Sequence, residues 1–263
     1  MDVLILSTSP RKSFSTSLYF SKILKLFLAG HNVEIILLRS AFDYNRAIRQ
    51  LDKIDVLVFA TPVYVDSVPS TTLEYLEKME QYITAKKYKF SVYTIANCGF
   101  YEGNQCRLAL KTYELWCERA DVKFLGGVGI GSGVMLGFVR ILPLIGLAIT
   151  AIQLMIQAVV LCFENTFSFP LLFAGFFPAN FVIQTALWIL FTLGAFVHIF
   201  NLRTSIIKKR NHVCQYTTAW FCPRCLFVCM ASLYWFFRAL FIHGVMPWTL
   251  FRKDKEYVDS LCK

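Results

Sequence analysis

Charged side chains are almost absent from the middle of this 263-residue chain. Between residues 141 and 200, Glu164 is the only formally charged residue, and acidic residues stay scarce to the end. Residues 1–130 carry 16 basic and 13 acidic side chains, whereas residues 131–263 carry 11 and 4. Hydrophobic residues make up 56% of the chain, which excludes a disordered protein. This distribution predicts a globular domain over residues 1–140, followed by a membrane-associated helical region over residues 141–263.

The chain also lacks the features of a secreted protein. Its nine cysteines are an odd number and are scattered through helix and strand patterns, which favours a reducing compartment. The N-terminus contains only a short apolar run, Val3 to Leu6, so we expect no signal peptide and a cytoplasmic N-terminal domain. The excess positive charge flanks apolar segments, so we expect it to face lipid headgroups, and nucleic acid is not an expected partner.

Five short apolar runs in the first half have the composition of strands that are buried on both faces. They cover residues 3–6, 33–38, 56–60, 90–96 and 122–130. Helical patterns lie between them, and the pattern predicts an α/β fold with a doubly wound, parallel, five-stranded sheet. Ligands bind to such sheets at the carboxyl ends of the strands, so the loops that follow the strands form the candidate site.

The loop after the first predicted strand is rich in hydroxyl groups and positive charge. It contains Ser9, Arg11, Lys12, Ser15 and Thr16 and leads into a helix. The free N–H groups of a helix N-terminus, together with hydroxyls and cations, suit a phosphate group. A helix cap followed by a solvated turn is the simpler alternative.

The loops after the third and fourth predicted strands have features suited to a planar ligand. Prolines stiffen the first of these loops, and glycines let the backbone of the second approach a ligand closely. Each loop alone could be structural: a rigid connection in the first case, a helix start with exposed aromatics in the second. The candidate residues are Pro62, Val63 and Tyr64, and Asn97, Gly99, Phe100 and Tyr101.

In their order along the chain, these motifs resemble those of the flavodoxin-like fold and, within it, the NADPH-dependent FMN reductases. The resemblance covers residues 1–140 and depends on Ser9-Pro10-Arg11-Lys12, Pro62-Val63-Tyr64 and Gly99-Phe100-Tyr101-Glu102-Gly103. It implies that the first loop holds the phosphate of FMN, that the second lies along the flavin ring, and that the third closes over it. By that resemblance, the FMN ligands are Ser9, Arg11, Lys12, Ser15, Thr16, Pro62, Val63, Tyr64, Asn97, Gly99, Phe100 and Tyr101.

Together with the apolar second half of the chain, the resemblance implies a membrane-anchored, FMN-dependent NAD(P)H oxidoreductase that passes electrons to an acceptor. We expect no catalytic side chain, because the flavin itself accepts the hydride. The membrane region suggests an acceptor such as a quinone, and a homodimer is left open. The alternative function is a non-catalytic electron carrier or a membrane scaffold.

Two uncharged runs, residues 141–163 and 176–200, are long enough to span a bilayer. Arg224 and Arg238 interrupt a third apolar segment, residues 219–251, which we expect to lie in the interface. Two spans would return the basic residues at 203–210 to the cytoplasm, as the positive-inside rule requires. In the alternative arrangement, residues 141–163 form the closing helix of the sheet and residues 203–210 lie outside.

One cysteine motif, Cys222-Pro223-Arg224-Cys225, has the spacing of a metal or redox site. Cys214 and Cys229 lie near it in the sequence, but a second motif of this kind is missing. Cysteine is common in buried apolar segments, so we expect these residues to be structural and assign no metal.

Overall fold

The computed structural model describes residues 1–11, 15–133, 135–164, 179–220 and 223–243. The chain forms two compact units, which divide between Phe221 and Cys222. In the first unit, strands and helices alternate as the sequence predicts, with one additional helix, α2. The elements are β1 Asp2–Ser7, α1 Thr16–Phe27, β2 Asn32–Leu37, α2 Ala41–Gln50, β3 Val56–Pro62, α3 Ser70–Lys86, β4 Ser91–Asn97, α4 Arg107–Arg119 and β5 Lys123–Gly131.

The rest of the first unit returns the chain to the sheet through helices. A short helix α5, Leu136–Val139, is followed by α6, Leu142–Phe163, and by α7, Ala179–Ile207. The chain then forms a last strand, β6, His212–Thr218. In the second unit, the described residues form α8, Arg224–His243.

Six parallel strands form one sheet in the order β2-β1-β3-β4-β5-β6. The first five follow the flavodoxin-like order, which confirms the predicted fold class. Val56 of β3 pairs with Val3 of β1 and with Ser91 of β4. The carboxyl ends of β1, β3 and β4 therefore lie side by side, which brings the loops that follow them together.

The sheet has a sixth strand that the sequence analysis missed, so the predicted count of five is wrong. β6 pairs with β5 from Gly126 and His212 to Gly131 and Thr218. Most β6 side chains are only partly buried, and polar residues interrupt the strand, so its sequence lacks the apolar run of a central strand. Because β6 and α7 follow residue 140, the chain that builds the sheet extends past the predicted domain boundary.

The C-terminal half of α7 covers one face of the sheet. Ala195, Ile199, Leu202 and Ile206 are completely buried there, and their spacing places them on one side of the helix. They share a core cluster with residues of β1, β3 and α1. The alternative in which residues 141–163 close the sheet is therefore wrong, because this face is covered by α7.

Polar contacts fix the end of α7 to the sheet. The Tyr93 hydroxyl lies 2.9 Å from the carbonyl oxygens of both Ser205 and Arg210. Burial raises the pKa of Tyr93 to about 12, so the phenol stays protonated and can donate. Arg203 donates to the Phe27 carbonyl oxygen at 3.0 Å, and Lys209 pairs with Asp55 at 2.7 Å. The basic segment 203–210 thus belongs to the same compact unit as the N-terminal strands.

α6 and the first half of α7 pack against each other and form an apolar hairpin. Its two ends lie at the sheet, because α6 begins shortly after β5 and α7 ends on the sheet face. With 22 residues, α6 is about 33 Å long. Large apolar side chains on this helix are exposed, among them Leu144, Leu147, Ile152, Met155, Ile156 and Phe163.

Three described helices are long and apolar enough to cross a membrane: Leu142–Phe163, Phe181–Ile207 and Arg224–Phe241. The first coincides with the predicted span 141–163. The second begins and ends later than the predicted span 176–200, and its last residues lie on the sheet. The third lies within the segment predicted to be interfacial. Of the predicted segments, residues 176–178, 221–222 and 244–251 lie outside the described residues.

Replacing Gly126 by alanine should open the pairing of β5 with β6. Gly126 has a φ of +112°, and a Cβ atom there would lie 1.7 Å from the backbone oxygen of His212. Gly30 also has a positive φ, +93°, but has open space around it, which makes Gly30→Ala a matched control. We expect Gly30→Ala to lower the free energy of unfolding by about 1 to 2 kcal/mol, because only the strain of the positive φ contributes there. We expect Gly126→Ala to lower it by about 3 kcal/mol or more.

Chemical denaturation of the purified protein measures both variants. Equal losses would mean that β6 does not pair closely with β5 at Gly126.

Candidate functional site

A cleft lies at the carboxyl edge of the sheet, where the loops after β1, β3 and β4 meet the end of β5. Its cavity volume is about 50 Å³. A cavity needs roughly 10 to 15 Å³ of such volume to hold one water molecule, so the cleft has room for a group the size of a phosphate. A larger ligand would extend into the open part of the cleft. The lining residues are Ser9, Arg11, Ser15, Thr16, Ser17, Pro62, Val63, Tyr64, Asn97, Cys98, Gly99 and Gly133.

The N-terminus of α1 forms one wall of the cleft. Ser15 caps the helix, and its Oγ accepts a hydrogen bond from the Leu18 backbone N–H at 3.5 Å. The first turn of α1 contains no acidic residue. Arg11 adds a positive charge, and its backbone N–H donates to Ser9 Oγ at 3.4 Å. Helix dipole, hydroxyls and guanidinium together favour an anion at this wall.

Two hydrogen bonds join α1 to the floor of the cleft. Ser17 Oγ donates to Asn97 Oδ1 at 2.8 Å, and both residues are buried. Thr16 Oγ1 donates to the Gly133 carbonyl oxygen, also at 2.8 Å. A Cβ atom on Gly133 would lie 2.9 Å from the Cys98 carbonyl oxygen, so the close approach of these loops requires glycine at this position.

The loop after β3 forms the opposite wall. Val63 is nearly buried, and its N–H donates to the Asn97 carbonyl oxygen at 2.8 Å. Beyond it, Tyr64 and Ser67 exchange two backbone hydrogen bonds across a tight turn. The turn residues Val65 and Asp66 have positive φ values of 49° and 60°. A β-branched residue such as Val65 rarely adopts that conformation, and backbone strain of this kind is common in loops that bind ligands. Val65 is 97% exposed beside the cleft.

Nine of the twelve residues that the sequence analysis selected line this cleft. Phe100 and Tyr101 do not, and Phe100 is 64% exposed. The loop after β4 is held toward β5, because Ser132 N–H donates to the Phe100 carbonyl oxygen. Lys12 lies outside the described residues. The binding roles of all twelve stay predictions.

The sequence analysis missed three lining residues, Ser17, Cys98 and Gly133. Ser17 follows directly after two selected residues, and Cys98 lies between two others. Gly133 follows β5, and the rule that ligands bind after strands applies to this loop as well. Extending that rule to the fifth strand would have found it.

The cysteine motif shows no metal site in the described part of the chain. No group of three His, Cys, Asp or Glu side chains there could hold a metal ion. Cys225 and Cys229 are exposed on α8, and Cys222 lies outside the described residues.

No protein-family model matches the chain, and no curated protein matches it. Solved structures match about half of it. An NADPH-quinone reductase from P. pentosaceus is 16% identical, with 50% of this chain and 86% of that chain covered, and a TM-score of 0.43. An NAD(P)H:quinone oxidoreductase from Methanothermobacter marburgensis is 18% identical, with 50% and 87% covered, and a TM-score of 0.39. A flavodoxin, WrbA-like protein from Agrobacterium tumefaciens is 12% identical, with 46% and 74% covered, and a TM-score of 0.38. The similarity concerns the fold.

Replacing Ser17 by alanine should loosen the floor of the cleft, because the buried Asn97 Oδ1 then loses its donor. We expect the free energy of unfolding to fall by about 2 kcal/mol. Ser21 is the matched control: it is a buried serine of the same helix, but its hydroxyl donates to the Ser17 carbonyl oxygen within α1. Ser21→Ala should change the stability by about 0.5 kcal/mol or less, since alanine favours the helix. A stability loss for Ser17→Ala no larger than for Ser21→Ala would contradict the link between α1 and β4.

Proposed function

We propose that the cleft binds FMN by its phosphate and that the protein is a membrane-anchored, flavin-dependent NAD(P)H oxidoreductase. One observation carries the proposal: the loops after β1, β3 and β4 meet in one cleft beside the N-terminus of α1. The strand order reverses between β1 and β3, which is where flavodoxin-like sheets bind FMN.

The residues present fit a flavin mononucleotide. Hydroxyls of Ser9 and Ser15, N–H groups of the first turn of α1, and the Arg11 guanidinium can bind a phosphate dianion. Val63 and Tyr64 offer an apolar wall for the rest of the ligand. When bound, the flavin would supply the hydride chemistry with a reduced nicotinamide. The side chains then position the ligand, exclude water and balance its charge, so a catalytic acid or base is not needed.

We further propose that the α6–α7 hairpin inserts into the bilayer and that the sheet lies on the cytoplasmic side. The two ends of the hairpin lie at the sheet, so the chain enters and leaves the membrane on the same side. The basic residues within segment 203–210 would then face the cytoplasm, in agreement with the positive-inside rule. Only the short helix α5 separates Gly133 of the cleft from the start of α6 at Leu142, which would place the cleft near the membrane surface. An acceptor dissolved in the membrane, such as a quinone, fits that position.

Arg11→Ala should weaken FMN binding at least about tenfold, because a charge-assisted contact with the phosphate is lost. Riboflavin, which lacks the phosphate, should bind weakly and equally to both proteins. Arg46→Ala is the matched control, since Arg46 pairs with Glu34 on the surface away from the cleft. Fluorescence titration of FMN and riboflavin into the purified protein measures all of these affinities.

A purified protein that shows no flavin absorption after incubation with FMN would contradict the proposal. Protein that binds FMN but does not oxidise NADH or NADPH would be an electron carrier instead. An equal loss of affinity for FMN and riboflavin in Arg11→Ala would mean that Arg11 does not bind the phosphate.

Cys162 tests the membrane insertion of the hairpin. It is exposed near the end of α6, whereas Lys78 is exposed on α3. In vesicles that expose the cytoplasmic face, a membrane-impermeant maleimide should label Lys78→Cys within minutes and leave Cys162 unmodified, because the reagent does not enter the hydrocarbon core. Detergent should make both reactive, and peptide mapping identifies each site. Equal labelling of the two cysteines before detergent is added would show that the hairpin lies in water.

A further inference from the structure

Two buried cysteines, Cys98 and Cys106, lie together at the floor of the cleft. Both contact the same backbone group, the Ile130 carbonyl oxygen of β5. The Cys98 N–H donates to it at 3.0 Å, and Cys106 Sγ lies 3.9 Å from it. The two thiols are hydrogen-bonded to each other. Their side chains therefore face one another across the loop that joins β4 to α4.

The surrounding backbone holds this pair in place. Cys98 Sγ lies 3.5 Å from the Glu102 carbonyl oxygen and 3.8 Å from that of Phe100. On the other side, a Cβ atom on Gly129 would lie 2.8 Å from Cys106 Cβ, so Cys106 packs directly on the β5 backbone. A disulfide between Cys98 and Cys106 requires the two sulfur atoms to approach to about 2.05 Å.

The two thiols differ in their access to the ligand. Cys98 lines the cleft, whereas Cys106 is fully buried behind it. The hydrogen bond from Cys106 lowers the pKa of the Cys98 thiol, and the same bond together with burial raises the pKa of Cys106. The thiolate therefore forms preferentially on Cys98, the sulfur that faces the cleft.

We propose that Cys98 and Cys106 are a dithiol–disulfide couple that exchanges two electrons with a flavin bound in the cleft. This inference rests on the FMN site proposed above and adds a second redox centre to it. The reaction balances without a further reagent. A dihydroflavin gives up two electrons and two protons and returns to the oxidised flavin, while the Cys98–Cys106 S–S bond breaks and takes them up as two thiols.

The couple would also link the redox state to the shape of the cleft. A bond between Cys98 and Cys106 closes the loop that contains Gly99, Phe100 and Tyr101. This loop then loses freedom in the oxidised protein and regains it on reduction.

Disulfide formation is tested on the protein without flavin. Full-length protein in detergent is treated with oxidised glutathione, digested without reductant and mapped by mass spectrometry. We expect a Cys98–Cys106 cross-link. Cys117 is the internal control, because it is equally buried but lies about 16 Å further along α4 and should stay a free thiol. Two unlinked thiols at Cys98 and Cys106 under these conditions would overturn the inference.

Electron exchange is tested on the oxidised, FMN-loaded protein by anaerobic titration with dithionite. We expect about four electron equivalents per flavin, two for the flavin and two for the disulfide. Cys106→Ser and Cys98→Ser should each accept about two, so that one variant suffices if the other fails to fold, and Cys117→Ser should accept about four. Mapping after the titration should show that the Cys98–Cys106 bond has been reduced.

The outcomes separate the two proposals. Protein that binds no FMN overturns the proposed function and this inference with it. Protein that binds FMN, forms the disulfide and still accepts about two electrons, with the disulfide intact, overturns this inference alone.

Discussion

An open parallel sheet is stable only when helices cover both of its faces. In this protein the helix that completes one face comes late in the chain, as the second half of α7. The chain therefore leaves the sheet after β5, runs out along α6 and returns along α7 before it can close the fold. Burial of Ala195, Ile199, Leu202 and Ile206 fixes the C-terminal half of α7 on the sheet. The apolar hairpin therefore lies in the chain between β5 and the part of α7 that covers the sheet. β6 comes directly after α7, once the chain is back at the sheet.

The position of the cleft depends on the same arrangement. Parallel strands place their carboxyl ends at one edge, so the polar loops after β1, β3 and β4 meet there. Hydrogen bonds from Ser17 to Asn97 and from Thr16 to Gly133 join α1, β4 and the end of β5. The chain leaves this edge through Gly133 toward α5 and α6. The features proposed to hold a flavin and those proposed to enter the membrane are therefore consecutive in the chain and close in space.

The sequence predicted what depends on local pattern. β1, β3 and β4 are buried along almost their whole length, which leaves continuous apolar runs. The rule for loops after strands led to most residues of the cleft. β6 lies at the edge, is partly exposed and contains polar residues, so its sequence did not identify it. α7 is apolar all round, and its periodicity does not indicate that Ala195 and Leu202 face a sheet. The pairing of Cys98 with Cys106 depends on how the intervening loop folds back onto β5.

α7 is one uninterrupted helix, Ala179–Ile207, whose first part belongs to the hairpin and whose last part belongs to the core of the sheet. A helix bends little over this length, so it joins the two parts as a stiff strut rather than as a tether. With the hairpin in a bilayer, the sheet would keep a fixed height and tilt above the lipid. A molecule dissolved in the lipid would then reach the cleft by diffusion in the plane of the membrane. The cleft would keep a single orientation toward that molecule.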